Sequence, residues 1–231
     1  MSIENNQTRN ERTLVVAIDG PSGSGKSSVS KAVARKLHAA YLDTGAMYRA
    51  ITYSVLAEGT DLDDAAAVAQ AVRDAQLSIS VDPDAERVVI GDLDVTEAIR
   101  EPRISEQVST VATNVEARAE LVRRQQQIIA ANARIVAEGR DITTVVAPDA
   151  DARILLTASE EARLRRRGLQ LGGTQNEAQL ATQVLERDAK DSTVVNFTQA
   201  ADGVITVDSS DLDFEQTIAA VLDAVDSATT N

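Results

Sequence analysis

The sequence predicts an α/β fold in which helices cover a parallel sheet on both faces. Strand-like and helix-like segments alternate along most of the 231 residues, which is the pattern of such a sheet. The first strand candidate, TLVVAI, is apolar without interruption, as in strands that are buried on both faces. Hydrophobic residues make up 43% of the chain but aromatic residues only 2%, so we expect a core of Val, Ile, Leu and Ala.

The first part of the chain follows this alternation. The strand TLVVAI leads into KSSVSKAVARKL, where Val29, Val33 and Leu37 recur at helical spacing. A short extended segment, AAYLD, precedes the helix TGAMYRAITYSVLAEG, which Gly59 ends. The next helix, DLDDAAAVAQAVRDAQ, begins with aspartates, whose charge suits the positive end of a helix dipole.

From Leu77 onward the period changes to two. LSISV, RVVI and GDLDV are short strand candidates, and tight turns such as DPDAE join them. An antiparallel patch among helices indicates an insertion.

The remainder of the chain returns to alternating strands and helices. EARAELVRRQQQIIA is a helix candidate, and ARIVAEG and ARILLTA are buried-strand candidates. SEEARLRRRGLQ begins with a Ser cap and an acidic first turn, so it is also predicted to be helical. NEAQLATQVLERDAK is predicted as a helix, DSTVVNFTQAADG as a loop, VITVD as the last strand and FEQTIAAVLDAV as the closing helix.

The composition excludes several classes of function. The formal charge of −13 repels nucleic-acid phosphates and anionic membranes, so we expect neither as a partner. The chain has no cysteine, which removes disulfides and thiolate chemistry. Residues 1–12 read as a polar, flexible tail, and no apolar run approaches the ~20 residues of a membrane span. We therefore expect a soluble, cytoplasmic protein whose ordered domain covers residues 13–231.

A phosphate-binding loop follows the first strand. Gly20, Gly25, Lys26 and Ser27 match the pattern G-x-x-x-x-G-K-[ST]. Backbone N–H groups that turn inward around a phosphate need glycine where a Cβ would clash or φ is positive, and the helix N-terminus adds further donors. Lys26 is expected to reach the β- and γ-phosphates, and the Ser27 hydroxyl to ligate Mg²⁺. The predicted ATP-binding residues of this loop are Gly20, Pro21, Ser22, Gly23, Ser24, Gly25, Lys26, Ser27 and Ser28.

Arginines distributed through acidic sequence form a second set of candidates. An N-K-x-D element, which a GTPase would use to read its base, does not occur. Phosphoryl transfer needs mostly position and positive charge, which guanidinium groups supply. Each arginine alone could equally be a solvated charge on a helix face. The candidates are Arg49, Arg118, Arg140, Arg163, Arg166, Arg167 and Arg187.

Four segments together resemble the bacterial cytidylate kinases, which are nucleoside-monophosphate kinases of the P-loop group. They are IDGPSGSGKSS, LDTGAMYRA, EGRDITTVVAPDA and ERDAKDST, and the resemblance extends from Leu14 to the C-terminus. It implies a three-layer α/β/α P-loop kinase with a mobile lid at residues 186–200 and a CMP-binding insertion at residues 79–115. It also implies transfer of the γ-phosphate of ATP to CMP or dCMP with Mg²⁺. Because the sequence leaves no long apolar stripe over, we expect a monomer.

The resemblance assigns roles to residues that match the family motifs. Lys26, Arg49, Arg140 and Arg187 are the implied catalytic groups, with Arg49 and Arg140 on the CMP phosphate. Ser109, Arg118 and Asp141 match base-reading positions, and Arg163, Arg166 and Arg167 match positions near the donor phosphates. The implied CMP-binding set is Thr44, Tyr48, Arg49, Ser109, Arg118, Arg140, Asp141, Arg187 and Asp191.

Two positions depart from the family pattern. Val194 stands near the place of a lid arginine, and Ile142-Thr143 replaces a hydrophobic-Gly pair. We expect Arg187 or Lys190 to compensate for the missing arginine.

The sequence alone leaves several interpretations of single residues and of the function open. Asp19 could orient Mg²⁺ through water or satisfy loop amides, and His38 is expected to cap a helix end and not to act as a catalyst. Two alternative functions also stay open. The chain could be a P-loop kinase for uridylate or shikimate, or it could be a regulatory module that binds nucleotide without turnover.

Overall fold

A parallel sheet forms the centre of the computed structural model, which describes residues 13–170, 188–189, 192–193 and 195–230. In this part of the chain the sheet has five strands in the order β2-β6-β1-β7-β8, and every neighbouring pair is parallel. The strands are β1 Leu14–Asp19, β2 Ala40–Asp43, β6 Arg134–Gly139, β7 Ala152–Thr157 and β8 Ile205–Asp208. All of them were predicted from their apolar runs, so the α/β class is confirmed.

Helices pack on both faces of this sheet. The described α-helices are α1 Lys26–Lys36, α2 Thr44–Ala57, α3 Ala65–Asp74, α4 Pro102–Thr113, α5 Val115–Ala130, α6 Glu160–Gln170 and α7 Phe214–Thr229. One hydrophobic core lies between the sheet and α1 and α7, with Val29 and Val33 packed near Ile218 and Val221. The other core joins the sheet to α2, α3 and α5 through residues such as Leu121. The three-layer arrangement is therefore as predicted.

A small antiparallel sheet consists of β3 Leu77–Ile79, β4 Val88–Ile90 and β5 Leu93–Asp94. It packs on α2 through a separate cluster that includes Ala46 and Val88. The hairpin loop also contacts α1, where Lys31 and Glu86 form an ion pair of 2.7 Å. The period-two prediction is confirmed, and these contacts fix the small sheet against the helix that follows the phosphate loop.

Helix α4 was not among the predicted elements. Pro102 occupies its first turn, which suits proline because the N–H there lacks an intrahelical partner. Ile104, Val108 and Val111 are buried at helical spacing, so the signal was present in the sequence.

Residues at helix ends behave as their chemistry predicts. His38 follows the C-cap of α1 with φ of 49°, and its N–H donates to the carbonyl of Arg35, as expected of a helix end. Asp43 and Asp64 accept N–H groups in the first turns of α2 and α3. Of the predicted helix NEAQLATQVLERDAK, the structure describes Asp188 and Ala189, which are helical, and the other residues lie outside the described ranges. None of the described helices is both long and apolar enough to span a bilayer.

Candidate active site

The candidate site lies at the carboxyl edge of the parallel sheet. Strands β2, β6, β1 and β7 are consecutive neighbours in the sheet, so the segments that follow them meet at one edge. These segments are the phosphate loop after β1, the start of α2 after β2, residues 138–141 at the end of β6, and α6 after β7. Sheet order therefore gathers motifs that are more than a hundred residues apart in sequence.

The phosphate loop has the backbone that its glycines predict. Gly23 and Gly25 have φ of +78° and +87°, a region that glycine enters without strain. A Cβ on Gly20 would lie 2.2 Å from the carbonyl oxygen of Leu156 on β7, so the loop leaves no room for a side chain there. Lys26 opens α1, and its Nζ lies 3.5 Å from the carbonyl oxygen of Pro21. The ammonium group is therefore folded back over the loop.

Replacement of Gly23 by Ala is expected to weaken ATP binding by about 10-fold or more. A Cβ at this position would lie 2.7 Å from the carbonyl oxygen of Arg163, and positive φ costs a further ~1 kcal/mol. The matched control is Gly59→Ala, since Gly59 also has positive φ but no atom within 4 Å of the added Cβ. Calorimetric ATP titration of both variants measures the difference. Equal affinities would show that contact with α6 does not shape the loop.

Glu138 is a site residue that the sequence prediction missed. Its carboxylate is buried at the end of β6 and accepts a hydrogen bond of 2.6 Å from the Ser27 hydroxyl. Burial raises the pKa of Glu138 to about 7; the negative charge of Asp43 adds to this effect, and Lys26 and Ser27 oppose it. The available signal was an acid at the last-but-one position of a buried strand, directly before the Gly-Arg-Asp segment.

Asp19 binds the segment that follows β6. Its carboxylate accepts hydrogen bonds from the N–H groups of Ile142 and Thr143, at 2.9 and 2.8 Å, and from the Thr143 hydroxyl at 2.6 Å. Burial raises the pKa of Asp19, although these hydrogen bonds and Lys26 oppose the rise. Of the two readings of Asp19, the structure supports the one in which it satisfies loop amides. Thr143 is the second residue of the unusual pair Ile142-Thr143, and its hydroxyl takes part in this contact.

The first two turns of α2 carry three of the residues predicted to hold the acceptor nucleotide. Arg49 is mostly buried and lies 3.1 Å from the carboxylate of Asp43. The Thr44 hydroxyl donates to the carbonyl of Glu138 at 2.8 Å, which joins α2 to the end of β6. Tyr48 lies on the same helix and packs partly against the second core.

Arg118 and Asp141, which were predicted to read the base together, form an ion pair. Their N–O distance is 2.5 Å, and 17% and 9% of their side-chain surfaces are exposed. Burial raises the pKa of Asp141 to about 6, and the charge of Arg118 opposes the rise. Ser109 is buried on α4, the helix that precedes the one carrying Arg118. A charged pair is therefore held at the end of β6, beside the strand that leads into the phosphate loop.

Two of the predicted phosphate-binding arginines converge on the loop residue Ser22. Arg140 donates to the Ser22 hydroxyl at 2.7 Å, and Arg163 donates to the Ser22 carbonyl at 2.9 Å. Both arginines also donate to the carboxylate of Asp188, at 2.8 and 2.6 Å. The sequence prediction included the arginines but not Asp188.

Arg166, which is predicted to bind the donor phosphates, contacts the phosphate loop from α6. Its guanidinium donates to the carbonyl oxygens of Ser24, Ser209 and Leu212, and to the Ser209 hydroxyl. It therefore connects the outside of the phosphate loop to the segment between β8 and α7. The side chain of Arg167, and all of Arg187, Lys190, Asp191 and Val194, lie outside the described residues.

The strand, glycine loop and helix, together with arginines at the carboxyl edge of a parallel sheet, define the class of P-loop phosphotransferases. The fold is similar to the crystal structure of a gluconokinase from Sinorhizobium meliloti 1021, with a TM-score of 0.51 and 15% sequence identity over 96% of this chain and 97% of that one. A profile described as cytidylate kinase matches residues 16–227. The chain belongs to the cytidylate kinase family.

Curated relatives cover nearly the whole chain. A cytidylate kinase of Cutibacterium acnes is 48% identical over 92% of this chain and 96% of its own length. A cytidylate kinase of Bacillus licheniformis is 42% identical over 94% of this chain and 97% of its own length. The family resemblance stated from the sequence motifs is therefore confirmed.

Proposed function

We propose that this chain transfers the γ-phosphate of ATP to CMP or dCMP, giving ADP and CDP or dCDP. The protein is thus an enzyme of pyrimidine nucleotide metabolism, a (d)CMP kinase. The observation that carries the proposal is the pairing of Arg118 with Asp141 at the end of β6, because β6 is the direct neighbour of β1 and its phosphate loop. The pair proposed to contact the cytosine base and the loop proposed to bind the triphosphate therefore follow neighbouring strands at one edge of the sheet.

The donor side of the reaction belongs to the phosphate loop. The glycine loop that precedes α1 and the N-terminus of α1 suit the phosphate tail of ATP. Lys26 places its positive charge over the same loop, where it can contact the β- and γ-phosphates. Arg163 contacts the loop from α6, which supports its assignment to the donor phosphates.

The acceptor side belongs to α2 and the end of β6. Arg49 and Arg140 are assigned to the CMP phosphate, and both lie partly buried at this edge of the sheet. The attacking group is already an anionic phosphate oxygen, so the enzyme needs no strong general base. Alignment and positive charge supply most of the acceleration in such transfers.

Base selection follows from hydrogen-bond chemistry. Cytosine has an amine at N4 and an acceptor at N3, whereas uracil has an acceptor at O4 and a donor at N3. The carboxylate of Asp141 can accept from the amine and repels O4, and Arg118 can donate to N3 or O2. Ser109 on α4 completes the assigned set. Specificity of this kind depends partly on repulsion of the wrong base.

The residues beside Lys26 fit a magnesium ion. The Ser27 hydroxyl and the Glu138 carboxylate lie 2.6 Å apart, and both are the hard oxygen ligands that Mg²⁺ prefers. The described residues contain no group of three or more carboxylates or imidazoles that could hold a metal, so phosphate oxygens would supply further ligands, as is common for Mg²⁺. When bound, Mg²⁺ neutralises charge on the phosphates. Ser27 would hold the ion directly, and Glu138 would orient the Ser27 hydroxyl or bind the ion.

A substrate panel tests the proposal. ADP release is measured with ATP and each of CMP, dCMP, UMP, AMP and shikimate, with and without Mg²⁺. We expect CMP or dCMP to react fastest and the chelated reaction to stop. Faster turnover of UMP, AMP or shikimate would contradict the proposal. CMP binding without any ADP release would favour the regulatory module instead.

Other expectations stay predictions. These are the roles of Arg187 and Asp191 near the CMP sugar, the lid at residues 186–200, the use of the 79–115 insertion for CMP, the monomeric state and the cytoplasmic location.

A further inference from the structure

Asp188 is a largely buried acid that has no role in the function proposed above. Only 12% of its side-chain surface is exposed. One carboxylate oxygen accepts from the N–H of Ser22 at 3.1 Å and from Arg140 at 2.8 Å, and the other accepts from Arg163 at 2.6 Å. A loop amide and two guanidinium groups thus surround a single carboxylate.

This donor set is one that a phosphoryl group would also use. Backbone N–H groups of a phosphate loop and arginine side chains are typical ligands of phosphate oxygens, and they bind anions through charge-assisted hydrogen bonds. The N–H of Ser22 lies within the loop itself, between Gly20 and Gly25. The Asp188 carboxylate therefore lies where the phosphate loop and the arginines meet.

The surroundings of Asp188 hold the arginines in fixed positions. The Ser22 hydroxyl accepts from Arg140, and the Ser22 carbonyl accepts from Arg163. Phe197 is only 1% exposed, and the centre of its ring lies 4.5 Å from the guanidinium carbon of Arg140. Such a contact fixes the plane of the guanidinium through a cation–π interaction. Protein groups other than Asp188 thus also hold the two arginines at the phosphate loop.

Charge balance explains why an acid is needed there. Two guanidinium groups brought to one loop residue repel each other, and the carboxylate between them offsets this repulsion. Burial alone would raise the pKa of Asp188, but the charge of Arg140 and the surrounding hydrogen bonds lower it below the ordinary value. Asp188 is consequently ionised at neutral pH.

We propose that the Asp188 carboxylate substitutes for a phosphoryl group in the nucleotide-free protein: it fills the anion position formed by Ser22, Arg140 and Arg163 and leaves when a polyphosphate binds. Asp188 is a positioning residue, because it acts through the two arginines and does not touch the substrates. It keeps the arginines together before binding, and it competes with the incoming phosphates. Only the kinetic part of this inference rests on the proposed kinase function.

Binding of inorganic tripolyphosphate tests the competition without any turnover. Calorimetric titration is carried out on the full chain and on Asp188→Asn, Asp188→Glu and Asp223→Asn. Removal of an internal competitor restores the affinity that the competitor had reduced, so we expect Asp188→Asn to bind roughly 5- to 50-fold more tightly. Asp188→Glu retains the charge and should stay within about 3-fold of the natural protein. Asp223 is exposed on α7, so Asp223→Asn controls for the change in net charge.

Steady-state kinetics provide a second readout. With CMP saturating, Asp188→Asn should lower KM for ATP and also lower kcat by about 10-fold, because the arginines lose the group that keeps them aligned. A purely structural role would lower activity without tightening the binding of tripolyphosphate. Unchanged or weaker tripolyphosphate binding in a folded Asp188→Asn protein would overturn the proposal. Asp188→Ser is measured in parallel, so the test does not depend on the folding of one variant. If CMP were not a substrate, the tripolyphosphate result would still decide the question.

Discussion

Lys26→Met should abolish CMP-dependent ATP consumption, with kcat lowered by about 10³-fold or more. The Lys26 ammonium lies over the phosphate loop, 3.5 Å from the carbonyl oxygen of Pro21, and methionine has a similar length but no charge. Charge on the transferred group grows toward the transition state, so loss of a fixed cation affects the rate more than ground-state binding.

Coupled measurement of ADP release with CMP present checks this result. Lys36→Met is the matched control, because Lys36 lies in the last turn of the same helix and is half exposed. The control should retain activity within about 2-fold, as expected for an exposed charge. Unchanged activity in Lys26→Met would contradict the assignment of the phosphate loop to ATP.

Asp141→Asn should reduce the preference for CMP over UMP by roughly 30-fold or more, measured as the ratio of kcat/KM values. The asparagine oxygen can still accept from Arg118, so the contact that now measures 2.5 Å can be retained. The amide group, unlike a carboxylate, can also donate to the O4 of uracil, which removes the repulsion. Asp149→Asn is the control, since Asp149 is exposed in the turn before β7. An unaltered ratio in Asp141→Asn would show that another residue selects the base.

The ionisation of Asp141 should make the preference for CMP over UMP depend on pH. Burial raises the pKa of Asp141 to about 6, and kcat/KM reports ionisations of the free enzyme. Below this pH the carboxyl becomes protonated and loses an acceptor for the N4 amine. The ratio of kcat/KM for CMP to that for UMP should therefore decrease as the pH is lowered from 8 to 5.5. The phosphates of both substrates titrate alike and cancel in this ratio, and Asp141→Asn should show no such fall.

Much of the fold could be predicted because its signals are local. Each strand of the parallel sheet appeared as an apolar run, and most helices appeared through their spacing or their capping residues. Helix α4 was missed although its buried residues have helical spacing, because it follows strands that suggested more antiparallel structure. The contacts of Arg166 with the carbonyl oxygens of Ser24 and Ser209 could not be predicted, because they join segments that are far apart in the sequence.

The sequence by itself determined the order of strands and helices along the chain and the phosphate loop, and its family motifs marked Arg118 and Asp141 as base-reading candidates. Only the structure showed that these two side chains form an ion pair. Only the tertiary structure placed Glu138 against Ser27, Asp19 against Thr143 and Asp188 against Ser22, pairs that are 111, 124 and 166 residues apart. The physical reason is that local periodicity fixes which face of an element is buried, but sheet order and helix packing fix which distant side chains meet. In this protein the packing brings these three acids to hydroxyl and backbone N–H groups in and beside the phosphate loop.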